Sequence, residues 1–205
     1  IKYYKGLGTS TKSEAKEYFT ALDKNLTNYS YNYSDDNGAI ELAFDKTKTD
    51  DRKDWLKSYS KENVLKVEEP NISINTFVNK ELIHFSMADI RRSIPHVLDG
   101  LKPSQRKVIY ACLKRGLAKE IKVSQLAASV SEMTSYHHGE ESLVKTIVNI
   151  AQDYVGSNNM NYLQPIGQFG TRIENGKDHA SARYIFTALQ SYTPLLFNKF
   201  DDKEL

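Results

Sequence analysis

The sequence DGLKPSQRKVIY, from Asp99 to Tyr110, opens the most regular part of the chain. Pro103 falls in the first turn of a helix, where the missing N–H of proline leaves no hydrogen bond unmade. Apolar residues then recur at helical spacing and predict a buried stripe made of Val108, Ile109, Cys112 and Leu113. This stretch therefore predicts the first helix of a compact helical domain.

Two further apolar patterns with helical spacing follow in the chain. The second helix is predicted to bury Val123, Leu126, Ala127, Val130 and Met133, and the third, from Glu140, to bury Leu143, Ile147, Ile150, Ala151 and Tyr154. Short strands are predicted among the later glycines Gly156, Gly167, Gly170 and Gly176. Three helices followed by a glycine-punctuated β-ribbon are typical of a winged helix-turn-helix domain.

Shorter elements are predicted before this region. Ile1–Tyr4 is predicted to be a strand, and Thr11 with Glu14 forms a capping-box pattern ahead of a helix that reaches about Leu26. The polar stretch from Thr27 to Gly38 predicts a loop.

Acidic residues favour a helix start because they complement the positive end of the helix dipole. Asp50 and Asp51 therefore predict a short helix that reaches Tyr59. A brief strand over Ile72–Asn75 and a helix over Thr76–Ser93 are predicted next.

The composition limits the classes of protein to consider. With 205 residues the chain can form one large or two small domains, and its net charge of +2 means that any DNA affinity must come from a local basic patch. The single cysteine, Cys112, has no partner for an internal disulfide, which favours a reducing compartment. Without a long apolar run or a secretion leader, we expect a soluble protein with no membrane contact. Because the chain begins at Ile1 without a methionine, we expect an excised fragment.

A candidate for covalent chemistry lies in GKDHASARYIFTAL, from Gly176 to Leu189. Tyr184 is the candidate nucleophile, and Arg183 is the nearest permanent cation. A tyrosine that attacks a phosphodiester forms a phosphotyrosyl ester and frees a sugar hydroxyl, whose re-attack restores the strand without an outside energy source. Neighbours in a regular strand point to opposite faces, so both side chains can reach one phosphate only if the strand begins or bulges there.

The pair by itself is weak evidence, since the chain has 13 tyrosines and a strand tyrosine is usually structural. Four more motifs accompany it: DGLKPSQRKVIY, SYHHGEESL (Ser135–Leu143), VGSNNMNYLQPIGQFGTR (Val155–Arg172) and IKYYKGLGTSTKSEAKEYF (Ile1–Phe19). Together they closely resemble the DNA breakage-reunion core of the eukaryotic-type type IIA DNA topoisomerases. The resemblance covers nearly the whole chain except Thr27–Lys66.

The resemblance implies an α+β fold that is mainly helical. Residues 1–33 would be the C-terminal edge of a TOPRIM domain, and residues 34–98 a helical connector. Residues 99–190 would form a winged helix-turn-helix DNA-binding domain with a β-wing, and residues 191–205 the start of the tower domain.

The resemblance also implies roles for individual residues. Tyr184 would become linked to a 5′ phosphate, Arg183 would stabilise the transition state, and His137 or His138 would hydrogen-bond near the scissile phosphate. The implied DNA contacts are Lys5, Gly6, Lys102 and Tyr136. Arg106 shares a helix face with Lys102 and is expected to contact DNA beside it, although two such cations usually form only a solvated face. Arg172 is either a phosphate contact or a surface charge.

No metal site is predicted in this chain. His137 and His138 lack further ligands at suitable spacing, and Asp35–Asp36 and Asp201–Asp202 are interpreted as solvated turns. The loop Tyr4–Ser13 has Thr11 where a Walker A loop needs glycine. The resemblance implies that Mg²⁺ and ATP serve the parent enzyme and bind outside this chain.

The expected parent is an ATP-hydrolysing type II DNA topoisomerase that cleaves and religates double-stranded DNA. It would act as a homodimer, since each cut strand needs one tyrosine. A nuclear location is expected, with a cytoplasmic viral factory as the alternative. The isolated chain would bind DNA without relaxing it. The alternatives are a non-catalytic winged-helix DNA-binding module and a purely structural dimerisation fragment.

Overall fold

The computed structural model describes residues 10–65 and 71–201, so the predicted strand Ile1–Tyr4 lies outside the described residues. The chain divides into two compact units, Ile1–Ile90 and Arg91–Leu205. Among the residues described, helices dominate both units, and each unit has one two-stranded sheet. The predicted α+β, mainly helical class is confirmed.

The elements are as follows in chain order. The first are α1 (Lys12–Thr20), α2 (Leu22–Asn25), β1 (Asn28–Ser30), α3 (Tyr33–Phe44), α4 (Thr49–Lys57), β2 (Asn71–Ser73), α5 (Ile74–Phe77), a π-helical turn (Val78–Leu82) and α6 (Ile83–Ser93), whose last three residues belong to the second unit. Those that follow are α7 (Pro103–Lys114), β3 (Ile121–Lys122), α8 (Val123–Thr134), α9 (Glu140–Ala151), β4 (Phe186–Thr187) and α10 (Thr193–Leu196).

The predicted capping box at the start of α1 is confirmed. The Thr11 backbone N–H donates to Glu14 Oε2 over 2.7 Å, and the Glu14 N–H donates to Thr11 Oγ1 over 3.4 Å. The helix is interrupted at Ala21, and α2 then continues to Asn25. Reciprocal capping explains why the helix begins at this point in the sequence.

The prediction of a loop over Thr27–Gly38 is wrong. This stretch contains β1 and the first half of α3, and β1 pairs in parallel with β2 so that Tyr29 lies opposite Ile72. Asn32 caps α3, because its Oδ1 accepts the Ser34 N–H over 3.3 Å. Polar residues of this kind favour helix caps as well as turns, and the strand depends on a partner far along the chain.

The interpretation of Asp36 as part of a solvated turn is also wrong. Asp36 is fully buried in the first turn of α3. Its carboxylate accepts the Asn32 N–H over 2.6 Å and the Asn75 N–H over 2.7 Å. Since Asn75 lies at the start of α5, one buried carboxylate joins the N-terminal ends of two helices.

Replacement of Asp36 with alanine is expected to lower the free energy of unfolding of the first unit by about 3 kcal/mol, because two backbone N–H groups lose their acceptor. Urea titration can follow this through the fluorescence of Trp55, the single tryptophan of the chain. Asp35→Ala is the matched control, since Asp35 is exposed and is expected to change stability by less than about 1 kcal/mol. Equal losses for both variants would contradict the anchoring role.

The remaining predictions for the first unit are close to the structure. α4 starts one residue before Asp50 and ends two residues before Tyr59. The strand predicted over Ile72–Asn75 corresponds only in part to β2, which ends at Ser73, because Ile74 and Asn75 already belong to α5. The helix predicted over Thr76–Ser93 therefore begins two residues earlier, and the π-helical turn divides it into α5 and α6.

The second unit has α7, α8 and α9 packed around one core. The predicted stripes are buried there except at a few positions: Leu113 is partly buried, Met133 is exposed, and Tyr154 lies beyond the end of α9. Burial raises the pKa of Cys112 to about 12, so its thiol stays protonated and serves as a packing group.

The short strands predicted between Gly156 and Gly176 are reduced to single bridges in the described structure. β3 pairs antiparallel with β4, and single bridges join Leu163 to Leu189 and Ile166 to Phe186. Residues 172–178 form turns. Gly156, Gly167, Gly170 and Gly176 all have positive φ, which interrupts an extended chain. The winged-helix assignment therefore stays a prediction.

Candidate functional site

The candidate nucleophile lies in a turn directly before a strand. Residues 182–184 form this turn, in which the Tyr184 N–H donates to Ser181 O over 2.9 Å, and β4 begins at Phe186. The guanidinium carbon of Arg183 lies 5.7 Å from the centre of the Tyr184 ring. Tyr184 is 70 % exposed, and Arg183 is also exposed. The sequence requires the strand to begin or bulge at this pair if both side chains are to reach one phosphate. In the structure the strand starts after the pair, and both side chains lie in solvent close to each other.

The N-terminal end of α8 is hydrogen-bonded to one side of the turn that contains Arg183 and Tyr184. Val123 N–H donates to Ile185 O over 3.0 Å, and Ser124 N–H donates to Ala182 O over 3.1 Å. These donors have no partner within their own helix, and here they bind the carbonyls that flank Arg183 and Tyr184. The positive end of α8 therefore abuts the backbone of the candidate site.

The segment Ile166–Gln168 is hydrogen-bonded to the residues before and after the same turn. Phe186 and Ile166 exchange backbone hydrogen bonds of 2.9 and 3.1 Å, and Ala180 N–H donates to Gln168 O over 2.9 Å. Gly167 has φ +110°, and a Cβ there would lie 3.0 Å from Ile185 Cγ2. Glycine is needed for this close approach, which fixes the turn from both sides and presents Tyr184 on a rigid base.

The sequence did not single out Lys122, which also belongs to this region. Lys122 is exposed on β3 opposite Phe186, and its Nζ lies 6.0 Å from the Phe186 ring. The pairing of β3 with β4 brings this cation beside the strand that follows Tyr184. Motifs and periodicity in the sequence do not indicate such a contact, because the two strands are far apart along the chain.

The structure groups the predicted residues Tyr136, His137 and His138. The ring centres of His137 and His138 are 5.0 Å apart, and both side chains are exposed. His137 Nδ1 lies 2.9 Å from Ser135 O. When Nδ1 carries the proton and donates to this carbonyl, Nε2 of His137 faces outward as an acceptor.

Tyr136 is predicted to lie against DNA, but in the structure its side chain is buried. It is 8 % exposed and belongs to the core cluster, with its hydroxyl 3.5 Å from Ser142 Oγ. Lys107 Nζ lies 5.8 Å from its ring and donates to Thr134 O. Ser135 adopts a left-handed conformation, with φ 46°, which turns the chain so that the following ring enters the core.

Lys102 and Arg106 lie at the start of α7 but have different surroundings. Lys102 is the N-cap residue and is exposed. Arg106 instead donates from Nε to Asp99 Oδ2 over 2.6 Å and from Nη2 to Asp99 Oδ1 over 2.9 Å. Burial tends to raise the pKa of Asp99, but hydrogen bonds from Arg106 and from the Leu101 N–H outweigh it and hold that pKa below its usual range. The charge of Arg106 is therefore largely neutralised within the protein.

The other predicted contacts lie elsewhere. Arg172 is exposed in the turns of residues 172–178, and Lys5 and Gly6 lie outside the described residues. In the ranges 10–65 and 71–201, no group of three His, Cys, Asp or Glu side chains is placed to hold a metal ion. Across the same ranges, no helix has the length and apolar character needed to span a bilayer.

A cavity of about 1070 Å³ lies between α7 and the segment 189–199. Its walls include Tyr110, Leu113, Leu189 and Phe197, with Lys114 and Lys199 beside them. Neither Arg183 nor Tyr184 contributes to these walls, so the cavity is separate from the candidate site.

Two family models match the chain. One, described as the C-terminal associated domain of TOPRIM, matches residues 1–90, and the other, described as the A-type subunit of DNA gyrase/topoisomerase IV, matches residues 92–205. The chain belongs to the type II DNA topoisomerase family. The predicted resemblance is confirmed, and the two matches meet at the boundary between the two compact units of this topoisomerase chain. The divisions predicted at residues 33, 98 and 190 stay predictions.

Individual type II topoisomerases agree with this assignment. The chain is 56 % identical to DNA topoisomerase 2 of Candida albicans over 98 % of its length, and 53 % identical to human DNA topoisomerase 2-alpha over 100 %. It spans 14 % of the length of each of these relatives. The crystal structure of the Plasmodium falciparum topoisomerase II DNA-binding, cleavage and re-ligation domain superposes with a TM-score of 0.74 at 50 % identity, over 100 % of this chain and 28 % of that one.

Proposed function

We propose that this chain is the DNA-cleaving part of an ATP-dependent type II DNA topoisomerase, with Tyr184 as the nucleophile. The observation that carries the proposal is the exposed Tyr184 side chain, which lies beside Arg183 on a turn that is hydrogen-bonded on both sides, to α8 and to Ile166–Gln168. Tyr184 lies in a turn rather than within a strand, and its side chain is mostly exposed instead of half-buried.

The proposed reaction is a reversible exchange of two phosphoester bonds. The Tyr184 oxygen attacks a backbone phosphorus, the phenolic proton leaves, and the bond to the 3′ oxygen breaks as that oxygen takes up a proton. The products are a 5′-phosphotyrosyl link and a free 3′ hydroxyl, whose attack on the same phosphorus restores the strand and the phenol. Arg183 stabilises the negative charge of the pentavalent transition state, a role that suits its planar donors.

The other predicted residues take supporting roles in this proposal. His138 donates a hydrogen bond to the scissile phosphate, or His137 does so with both of its ring nitrogens protonated, since its Nδ1 already donates to Ser135 O. Lys102 contacts the DNA backbone. Lys122 joins the DNA contacts because it lies beside the strand after Tyr184. Two residues change role because of their surroundings. Arg106 orders the start of α7 through Asp99, and Tyr136 supports His138 from within the core, with the two ring centres 5.4 Å apart.

Lys5 and Gly6 keep the roles implied by the family, as backbone-phosphate contacts. A cation and exposed backbone donors are sufficient for such contacts, which position DNA without reading its sequence. The helices α7, α8 and α9 with β4 would together form the winged-helix domain that carries the nucleophile.

The cofactors of the proposed enzyme do not fit the described residues. Asp36 is buried and already accepts two backbone N–H groups, so Asp35 and Asp36 cannot act together as an exposed Mg²⁺ pair. Thr11 occupies the glycine position of a nucleotide loop. In this proposal Mg²⁺ and ATP keep the place that the family resemblance implies, in other parts of the parent enzyme, and no step above runs through them.

The partners follow from the chemistry. Cutting both strands of a duplex requires two tyrosines, so two copies of the chain would act about a two-fold axis. Double-stranded DNA is the substrate, and the relatives from a yeast, a nematode and mammals support a nuclear location.

The 205-residue chain alone can test whether DNA binding and relaxation need different parts of the enzyme. It is expected to bind duplex DNA without relaxing supercoiled plasmid. Its affinity should fall steeply with salt, because backbone contacts release counterions. The full-length protein, with Mg²⁺ and ATP, is the positive control for relaxation.

Each outcome of this test bears on the proposal. Mg²⁺-dependent relaxation by the chain alone would show that the metal site lies within it. Failure to shift a duplex at low salt would rule out both the proposed function and the alternative of a non-catalytic DNA-binding module.

A further inference from the structure

We propose that the cavity between α7 and the segment 189–199 is an effector site for a small amphipathic anion, a molecule with an apolar body and one carboxylate, sulfonate or phosphate group. The apolar body fills the cavity, and the anionic group lies against lysines of its walls. The binding site does not depend on the proposed function, whereas its effect on DNA cleavage rests on that function.

The size and the walls of the cavity suit a small molecule. Its volume of about 1070 Å³ is close to the upper limit for small-molecule sites, roughly 1,000 Å³. Apolar side chains make most of its surface: Leu101, Ile109 and Leu117 belong to the core cluster, and Leu113 and Phe197 pack against that cluster. An apolar ligand that enters this space leaves water, which favours binding.

The wall opposite α7 is held in place by hydrogen bonds. Leu189 N–H donates to Leu117 O over 3.3 Å, and Gln164 Nε2 donates to Leu189 O over 2.9 Å. Farther along the same wall, Thr193 Oγ1 donates to Tyr162 O over 2.7 Å. The cavity is therefore formed before a ligand binds, and binding requires little ordering of the protein.

The charged groups of the walls favour an anion. Asp99 is the one carboxylate among the described lining residues, its side chain is 5 % exposed, and Arg106 neutralises it. Lys107, Lys114 and Lys199 also line the cavity, and none of them forms an ion pair within the part of the chain that the structure describes. An apolar molecule with one negative charge therefore matches the walls better than a neutral or cationic molecule.

Lys107 connects the cavity to the predicted histidines. Its Nζ donates to Thr134 O over 3.0 Å and lies 5.8 Å from the centre of the Tyr136 ring. Thr134 is the last residue of α8 and also lines the cavity, and the Tyr136 ring lies 5.4 Å from that of His138. An anion beside Lys107 competes with Thr134 O for the ammonium group. The turn that carries the histidines is then held less firmly, which weakens the proposed hydrogen bond from His138 to the scissile phosphate.

Two fluorescent probes that differ in charge can test the site without DNA. Anilinonaphthalene sulfonate carries a sulfonate group, and phenylnaphthylamine has the same rings without that group. Both probes fluoresce more strongly in apolar surroundings than in water. The 205-residue chain should bind the sulfonate probe about tenfold more tightly than the neutral probe, because only the sulfonate accepts a charge-assisted hydrogen bond from lysine.

A variant that fills the cavity should block both probes. Ala118 lines the cavity and is exposed, so Ala118→Trp can place a large side chain in the space without entering the core. Each probe should lose affinity by about tenfold or more, because the apolar surface that it covers is already occupied. Thermal unfolding without a probe will show that the variant is folded.

Variants of the lysines should weaken only the sulfonate probe. The expected loss is about tenfold for Lys107→Gln, whose side chain is half-buried, and roughly threefold each for the exposed Lys114→Gln and Lys199→Gln. Lys145→Gln is the matched control, since Lys145 is exposed on α9 and does not line the cavity. The two exposed positions keep the test decisive if Lys107→Gln lowers the stability of the chain.

The effect on cleavage is measured with the full-length protein. A saturating concentration of the sulfonate probe should slow formation of the covalent protein–DNA adduct severalfold while DNA affinity changes little. The neutral probe should leave the rate unchanged, because it does not attract Lys107. Ala118→Trp should make the rate insensitive to the sulfonate probe without changing the rate in its absence.

The anion site is ruled out if the two probes bind equally well, or if the lysine variants behave like Lys145→Gln. Binding by the 205-residue chain but not by the full-length protein would show that another part of the parent fills the cavity, and would also rule out the site. A probe that binds the full-length protein and leaves the adduct rate unchanged would refute the coupling to the histidines. The binding measurements contain no DNA, so a failure of the proposed chemistry, detected with Tyr184→Phe, is distinguishable from a failure of the site.

Discussion

Tyr184→Phe is expected to abolish the covalent protein–DNA adduct of the full-length protein and to leave noncovalent DNA affinity within a few fold. The substitution removes the only atom of the side chain that can attack phosphorus. The ring and its contact with Arg183 remain, and the backbone bonds from Val123 and Ser124 do not involve the side chain. Binding and chemistry should therefore separate cleanly.

The adduct can be trapped by denaturant during cleavage of end-labelled duplex and resolved on a denaturing gel. Tyr110→Phe is the matched control, because Tyr110 is another exposed tyrosine of the second unit and lies beside the cavity rather than in the turn. An undiminished adduct in Tyr184→Phe would remove Tyr184 from its role. Loss of the adduct in both variants would point to damage of the fold rather than loss of the nucleophile.

Arg183→Ala is expected to slow single-turnover cleavage by about 10²-fold or more, as other lost transition-state donors do. DNA affinity should fall far less, because Arg183 would be one cation among several along the backbone. Arg183→Lys should recover only part of the rate, since an ammonium group lacks the paired donors of a guanidinium.

Lys122→Gln provides the contrast for this experiment. Lys122 is placed to contact the DNA backbone and not the reacting phosphorus, so its loss should weaken binding and reduce the salt slope while the rate at saturating DNA changes little. Equal losses of rate and affinity in Arg183→Ala would make Arg183 a positioning residue instead.

The helices of the second unit could be predicted because their signals are local. Pro103 at the start of α7 and the apolar stripes of α7, α8 and α9 depend on residues three or four positions apart. The capping box of Thr11 and Glu14 is equally local. The pairing of Arg183 with Tyr184 could also be predicted, since the two residues are neighbours in the chain.

The surroundings of the site could not be predicted in the same way. Arg106 and Asp99 lie seven residues apart, and their ion pair changes the proposed role of Arg106 from DNA contact to support. The ring of Tyr136 enters the core because Ser135 turns the chain there. Asp36 is buried because β2 and α5 bring the Asn75 N–H to it from far along the sequence.

The sequence by itself determined the family, the positions of the main helices and the identity of the candidate nucleophile. These properties depend on residue order and on periodicity within a few positions. Only the tertiary structure decided that the Tyr184 ring is exposed, that α8 and Gly167 hold its turn, and that Gln152 closes the neighbouring loop. The physical reason is that burial and hydrogen-bond partners depend on contacts between segments that are far apart in the sequence. Patterns within a few residues do not specify those contacts.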